Sequence, residues 1–184
     1  MCIRDRSSDI GSYSFEWDNL AYIYAGAQKN MGIPGVSICI GDEQYLNTEN
    51  NSKYLNLGQL VEKNSLLNTP PTFSIYILKL VTDWMIQMGG VKYFEEKSIR
   101  QSSRLYEQLN SYKDFLILPI CDYSKSRSNI IFKFENNELE KKFLMEAGEK
   151  GIIGLNGHRS EGGVRISLYN SITDEMVDYL SEFI

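Results

Sequence analysis

Three short segments hold side chains whose types and spacing could do chemistry. In Ala25-Gly26-Ala27-Gln28-Lys29-Asn30-Met31-Gly32-Ile33-Pro34-Gly35, a lysine lies between an apolar run and a glycine-punctuated loop. Partial burial there disfavours the ammonium, and the neutral amine is the nucleophile that forms a Schiff base with a carbonyl. Lys29 also reads as a solvated loop lysine, the common fate of that residue. In Asn68-Thr69-Pro70-Pro71-Thr72 a hydroxyl-rich helix start offers free N–H groups to a phosphate. The plainer reading is an N-cap with proline in the first turn. The third segment runs from Gly157-His158-Arg159-Ser160 through Gly162-Gly163-Val164-Arg165-Ile166-Ser167-Leu168-Tyr169-Asn170. Arg165 sits inside an apolar run, where an unpaired charge is costly. It needs a carboxylate, which its planar fork grips with two hydrogen bonds. That carboxylate belongs either to an acidic neighbour in the fold or to a ligand.

Composition narrows the partners. The chain has 184 residues, 42% hydrophobic and 23% charged, with a net charge of −5. That is an ordinary globular balance, with no basic block to attract nucleic acid or an anionic membrane. No apolar run approaches the roughly 18 residues of a membrane span. His158 is the only histidine, and Cys2, Cys39 and Cys121 are far apart, so neither a metal centre nor a disulfide framework is expected. A reducing, cytoplasmic setting is the simplest reading of that cysteine usage.

The elements that must position these residues are legible in outline. Tyr22–Ala25 and Gly35–Gly41 read as short buried strands flanking the Lys29 loop. Asp42–Asn68 reads as loop, with one helical turn near Gly58–Lys63. A long helix starts at 68–72, capped by Asn68 or Thr69. Phe73, Tyr76, Ile77, Leu80, Val81, Trp84 and Met88 share one face of it. Gly89-Gly90 ends it and marks the best boundary for a second unit. A second helix covers Val91–Asn110, with Phe94, Ile99, Leu105 and Leu109 on one side. Strands are expected at Phe115–Ile120, Ile130–Phe134, Ile152–Leu155 and Val164–Leu168. An amphipathic helix is expected at Glu138–Lys150, with Leu139, Phe143, Leu144 and Ala147 inward. Thr173 should cap a last helix ending near Phe183.

Taken together, Tyr24-Ala25-Gly26-Ala27-Gln28-Lys29-Asn30, Asn68-Thr69-Pro70-Pro71-Thr72, Trp84 with Gly89-Gly90-Val91, Gly157-His158-Arg159-Ser160 and Gly162 to Asn170 resemble one family closely. It is the phosphoserine aminotransferase family, pyridoxal 5'-phosphate enzymes of the α/β fold-type I class. The resemblance runs from about Ser7 to the C-terminus. It implies that residues 1–88 are the C-terminal part of a large cofactor-binding domain and 89–184 a small C-terminal α/β domain.

By that resemblance Lys29 looks like the catalytic lysine that bonds to the cofactor, and Gln28 like a contact to the cofactor phosphate. Asn68 and Thr69 match a pair reaching the cofactor phosphate of a neighbouring subunit, which implies a homodimer. Asp5, in Asp5-Arg6-Ser7-Ser8, matches the aspartate that pairs with the pyridine nitrogen. His158 and Arg159 match the pair that holds a distal phosphate or side-chain carboxylate, and Arg165 the arginine that binds the α-carboxylate. The implied substrates are glutamate, 2-oxoglutarate, phosphoserine and 3-phosphohydroxypyruvate. The implied settings are serine biosynthesis and, through phosphohydroxythreonine, pyridoxine biosynthesis. The family's chain is about twice as long, so a fragment is implied. Two rivals remain: another fold-type I enzyme such as a desulfurase, and a cofactor-free chain with only a dimerisation role.

Overall fold

The computed structural model describes residues 2–18, 20–46, 56–158 and 160–184. The chain divides into two compact units, Met1–Tyr93 and Phe94–Ile184.

Unit 1 is built on a three-stranded sheet, β1 (Cys2–Asp5), β2 (Leu20–Gly26) and β3 (Ser37–Gly41), in that order. β1 runs parallel to β2, with Asp5 opposite Tyr24, and β3 returns antiparallel with Cys39 opposite Tyr24. β2 alternates: Ala21, Ile23 and Ala25 are buried on one face, the period-two pattern of a strand covered on one side. β3 corrects the expectation of a buried strand. Its residues are exposed or half-buried, because it forms the edge of this sheet and is paired on one side only. Two short helices follow, α1 (Glu43–Leu46) and α2 (Leu57–Glu62). Residues 47–55 of the expected loop lie outside the described residues.

The long helix α3 spans Thr72–Gln87. It begins later than expected. Its N-cap is Pro71, with no side-chain cap, so neither Asn68 nor Thr69 caps it. The two prolines explain this, since a residue before proline is pushed out of the helical region. Thr69 and Pro70 are both in that position. The apolar stripe forms one helix face, yet Phe73, Tyr76, Leu80, Trp84 and Met88 are exposed, and Met85 is the buried residue. Gly89 and Gly90 end the helix with φ of 115° and 67°, left-handed values that glycine tolerates.

Unit 2 continues along α4 (Gly90–Ser111) and contains β4 (Leu116–Ile117), a 3-10 turn at Asp122–Ser124, β5 (Asn129–Phe134), α5 (Asn137–Glu149), β6 (Asn156–His158), β7 (Gly162–Ser167) and α6 (Asp174–Phe183). Its four strands pair antiparallel in the order β4-β5-β7-β6. Ile130 and Phe132 of β5 and Val164 and Ile166 of β7 point to one face. There they meet Leu105 and Leu109 of α4, Ala147 of α5, and Val177 and Leu180 of α6. Phe143 joins this core through rings of Phe134 and Phe183, with centroids 5.2 and 5.0 Å away. Those spacings suit aromatic pairing. Thr173 caps α6, its hydroxyl oxygen accepting from the Met176 N–H.

Three details of unit 2 differ from the sequence reading. Residues 152–155 form no strand: Gly151 and Gly154 take φ of 75° and 80°, which breaks an extended run, and Ile153 is 87% exposed. The expected strand at 115–120 is regular only at Leu116–Ile117. Leu139 and Ile99 face outward. In α4 the inward face carries Phe94, Lys97, Ser98, Gln101, Ser102, Leu105 and Leu109. Those residues recur at three- and four-residue steps, and Ile99 falls off that row. The polar members have work to do: Lys97 Nζ donates to the Asn170 carbonyl at 2.9 Å. Gln101 Nε2 donates to the Ile172 carbonyl at 3.1 Å and to Asp174 Oδ1 at 2.8 Å. The turn after β7 is thereby tied to α4.

Candidate active site

In unit 1 the ends of two parallel strands meet. β1 stops at Asp5 and β2 at Gly26, and the loops that follow carry Ser7 and Ser8 on one side and Gln28, Lys29 and Asn30 on the other. The carboxyl ends of parallel strands are where open α/β sheets hold ligands. Lys29 lies, as expected, in the loop joining neighbouring strands β2 and β3. It is half-buried, and its Nζ donates to Ser8 Oγ at 2.6 Å. Asn30, buried beside it, donates from Nδ2 to the Ser8 carbonyl at 3.1 Å. The Gly26 N–H donates to Ser7 Oγ at 2.9 Å.

Asp5 Oδ1 accepts the Ser7 N–H at 2.8 Å. Hydrogen bonds from the Ser7 hydroxyl and backbone hold the Asp5 carboxyl below its usual range, and the charge of Lys29 pushes the same way more weakly. An ionised carboxylate and an amine therefore share one rim. Gln28 is exposed, with its amide lying where a side chain on Gly26 would project. The far end of the Lys29 loop is tied down: Ser74 Oγ of α3 donates to the Pro34 carbonyl at 3.0 Å. The loop after β1 has its own brace. Arg6 Nη1 donates to Asp9 Oδ2 at 2.9 Å and to Tyr13 OH at 2.7 Å, and its guanidinium stacks 4.7 Å over the Phe15 ring. In the sequence Ser7 and Ser8 stand out only by their spacing from Asp5, and nothing there marks a task for Asn30. Asn68 and Thr69 are exposed.

In unit 2, β6 and β7 form a hairpin that presents His158 and Arg165. His158 pairs with Gly162. Its exposed ring has Nδ1 2.8 Å from Ser160 Oγ, and Nδ1 also accepts the Ser160 N–H at 3.3 Å. Arg159 lies outside the described residues. Gly157 makes the hairpin possible, because a Cβ there would overlap the Gly162 carbonyl. Arg165 lies opposite Ile131, on the sheet face away from the core. Its Nε is buried without a hydrogen-bond partner, and among the described residues it forms no ion pair. That leaves a buried donor unsatisfied on the sheet face away from the core.

Among the described residues no cluster of His, Cys, Asp and Glu could hold a metal ion, and no helix is long and apolar enough to cross a membrane.

This mixed α/β fold is that of the class-V aminotransferases. The aminotransferase class-V model matches residues 1–180, and the chain belongs to this family. Within the family it is similar to phosphoserine aminotransferases. That of Shouchella clausii (strain KSM-K16) is 39% identical over 185 residues, covering 97% of this chain and 51% of the relative. The solved phosphoserine aminotransferase of Bacillus circulans subsp. alkalophilus superposes with a TM-score of 0.93 at 36% identity, over 98% of this chain and 51% of that one. The phosphoserine aminotransferase of Trichomonas vaginalis, solved with pyridoxal phosphate bound, gives 0.89 at 28% identity, over 98% and 52%. The chain spans about half the length of the relatives it matches.

Proposed function

We propose that this chain works as the C-terminal half of a phosphoserine aminotransferase. The reaction moves an amino group between glutamate and 3-phosphohydroxypyruvate, giving 2-oxoglutarate and phosphoserine. The single observation carrying the reading is the rim on which Lys29 and Asp5 stand together, in a chain similar along nearly its whole length to phosphoserine aminotransferases. The cofactor is pyridoxal 5'-phosphate, and the residues fit it: Lys29 offers the amine for its aldehyde, Asp5 the carboxylate for its ring nitrogen, and Gln28 an amide for its phosphate. When bound, the cofactor supplies an electron sink for charge developing at the substrate α-carbon.

The chain's own residues do the rest. Lys29 Nζ takes the proton from the substrate α-carbon and later returns one, as general base and then acid. Asp5, kept ionised by Ser7, favours a protonated ring nitrogen. Arg165, with its buried Nε open, grips the α-carboxylate common to every substrate. His158 and Arg159 receive the distal phosphate or the second carboxylate of glutamate. Asn68 and Thr69, with side chains uncommitted to capping, reach the cofactor phosphate of a partner subunit in a homodimer. Residues 1–88 then complete the large domain and 89–184 form the small one. The setting is cytoplasmic serine biosynthesis, with phosphohydroxythreonine as a further substrate for pyridoxine biosynthesis.

The test is formation of 2-oxoglutarate from glutamate and 3-phosphohydroxypyruvate by the full-length gene product with pyridoxal phosphate. We expect turnover, and its near-complete loss in Lys29→Ala. No turnover above that of Lys29→Ala sinks the reading. A second reading is a cofactor-free chain that only dimerises; the exposed stripe of α3 favours it. It requires that the protein take up no borohydride-reducible pyridoxal phosphate.

A further inference from the structure

We infer that Ser8 is a positioning residue for the Lys29 amine. The inference rests on the transaminase reading and adds what holds the amine while it is uncombined. Lysine carries its amine on a stem of four rotatable carbons, so an unrestrained Lys29 would spend little time at one point on the rim. Here Nζ donates to Ser8 Oγ at 2.6 Å, and among the described residues Lys29 has no ion pair that could do the same work. Asp5 acts on it only at a distance.

Ser8 is itself fixed. Asn30, next to Lys29 and buried, grips the Ser8 carbonyl. Two successive residues of one loop thus hold a single residue of the other, one at the backbone and one at the hydroxyl. On the other side of Ser8, Ser7 Oγ is pinned by the Gly26 N–H. The Asp9 and Ile10 N–H groups close onto the Arg6 carbonyl at 3.1 and 2.8 Å, and Arg6 is clamped by Asp9 and Tyr13. A hydroxyl on a braced loop is a fixed acceptor, which is what a reach of one ångström tolerance requires. The oxygen accepts from the ammonium and leaves the hydroxyl hydrogen free to donate elsewhere. Ser8 therefore receives the amine whenever Lys29 is released, and keeps it beside Asp5 for its next proton transfer.

The test has a cofactor-free arm and a turnover arm. In the first, the side-chain ammonium signal of Lys29 is followed by 15N NMR in the chain without cofactor, assigned by its loss in Lys29→Arg. A held ammonium exchanges slowly with water and stays visible near neutral pH. We expect the signal in the wild type and in Ser8→Thr, which keeps the hydroxyl, and its loss in Ser8→Ala. In the second arm, kcat of the full-length enzyme should fall roughly tenfold in Ser8→Ala, as for one hydrogen bond to a charged group. KM for glutamate should be unchanged and Ser8→Thr should recover most of the rate. An ammonium signal unaffected by Ser8→Ala, or a Ser8→Thr enzyme as slow as Ser8→Ala, overturns the inference. A Ser8-dependent signal in a protein that takes up no pyridoxal phosphate upholds the hold on the amine and sinks the transaminase reading instead.

Discussion

Arg165 is a charged fork with one buried nitrogen left open, so its replacement separates charge from shape. Arg165→Lys keeps the charge and removes the planar two-point grip. In the full-length enzyme we expect kcat/KM for glutamate and for 3-phosphohydroxypyruvate to fall together, by about 1.5–3 kcal/mol, the size of losing one hydrogen bond to a charged group. A loss confined to the phosphorylated substrate would remove Arg165 from the α-carboxylate. Asp5 gives a pH prediction. Its carboxyl is held low chiefly by Ser7, so the folded form binds its proton later than the unfolded form as pH falls. Its contribution to stability is full above the unfolded value of about 3.9. It is lost as pH drops through the lower folded value. A carboxyl NMR titration should place Asp5 below an ordinary aspartate, and Ser7→Ala should move the midpoint back up. An unmoved midpoint in that variant would mean the Ser7 hydroxyl is not the cause, leaving the Ser7 N–H.

At the scale of the element, the β6–β7 hairpin depends on one missing side chain. Gly157→Ala puts a methyl into the Gly162 carbonyl and against the Gly163 carbonyl. Both are backbone atoms, which cannot rotate away, so the hairpin must open. We expect a loss of about 2 kcal/mol or more, in the upper range for overpacking, measured as a lower urea midpoint. His158 should shift its NMR signals more than Tyr106 does. How much of this was legible follows from what each signal depends on. Strand β2, the Lys29 loop, the Gly89-Gly90 break and the Thr173 cap were readable because each rests on local chemistry. The exposed β3 was not, because an apolar run looks the same at a sheet edge as at its centre. The late start of α3 was readable in principle, since each proline restricts the residue before it. Ser8 and Asn30 were hidden because their roles come from two loops meeting, separated by 22 residues of chain. The polar inward face of α4 leaves no such signal, because hydrophobic periodicity does not register lysines and glutamines that are buried with partners.

For the whole molecule, the main feature is what remains uncovered. Phe73, Tyr76, Leu80, Trp84 and Met88 form a row on α3, with Phe73 68% exposed. Contiguous apolar surface of this kind marks an interaction face. A net charge of −5 gives only modest repulsion against association. We expect the 184-residue chain alone to associate with rising concentration in sedimentation velocity. The double variant Phe73→Ser, Leu80→Ser should shift it toward monomer. A wild-type chain that sediments as one monomeric species at all concentrations would contradict this.

The ammonium of Lys97, sunk against the Asn170 carbonyl, turns unit 2 into its own gauge. A bulky acylating reagent can reach the exposed Lys92 five residues earlier but not Lys97 while α4 keeps its seat. The two lysines lie so close in sequence that one short peptide reports both. The ratio of tag on Lys97 to tag on Lys92, read by mass spectrometry, measures how often this unit opens. No residue need be engineered into the chain, and the measurement works in a crude extract where spectroscopy cannot follow a single chain.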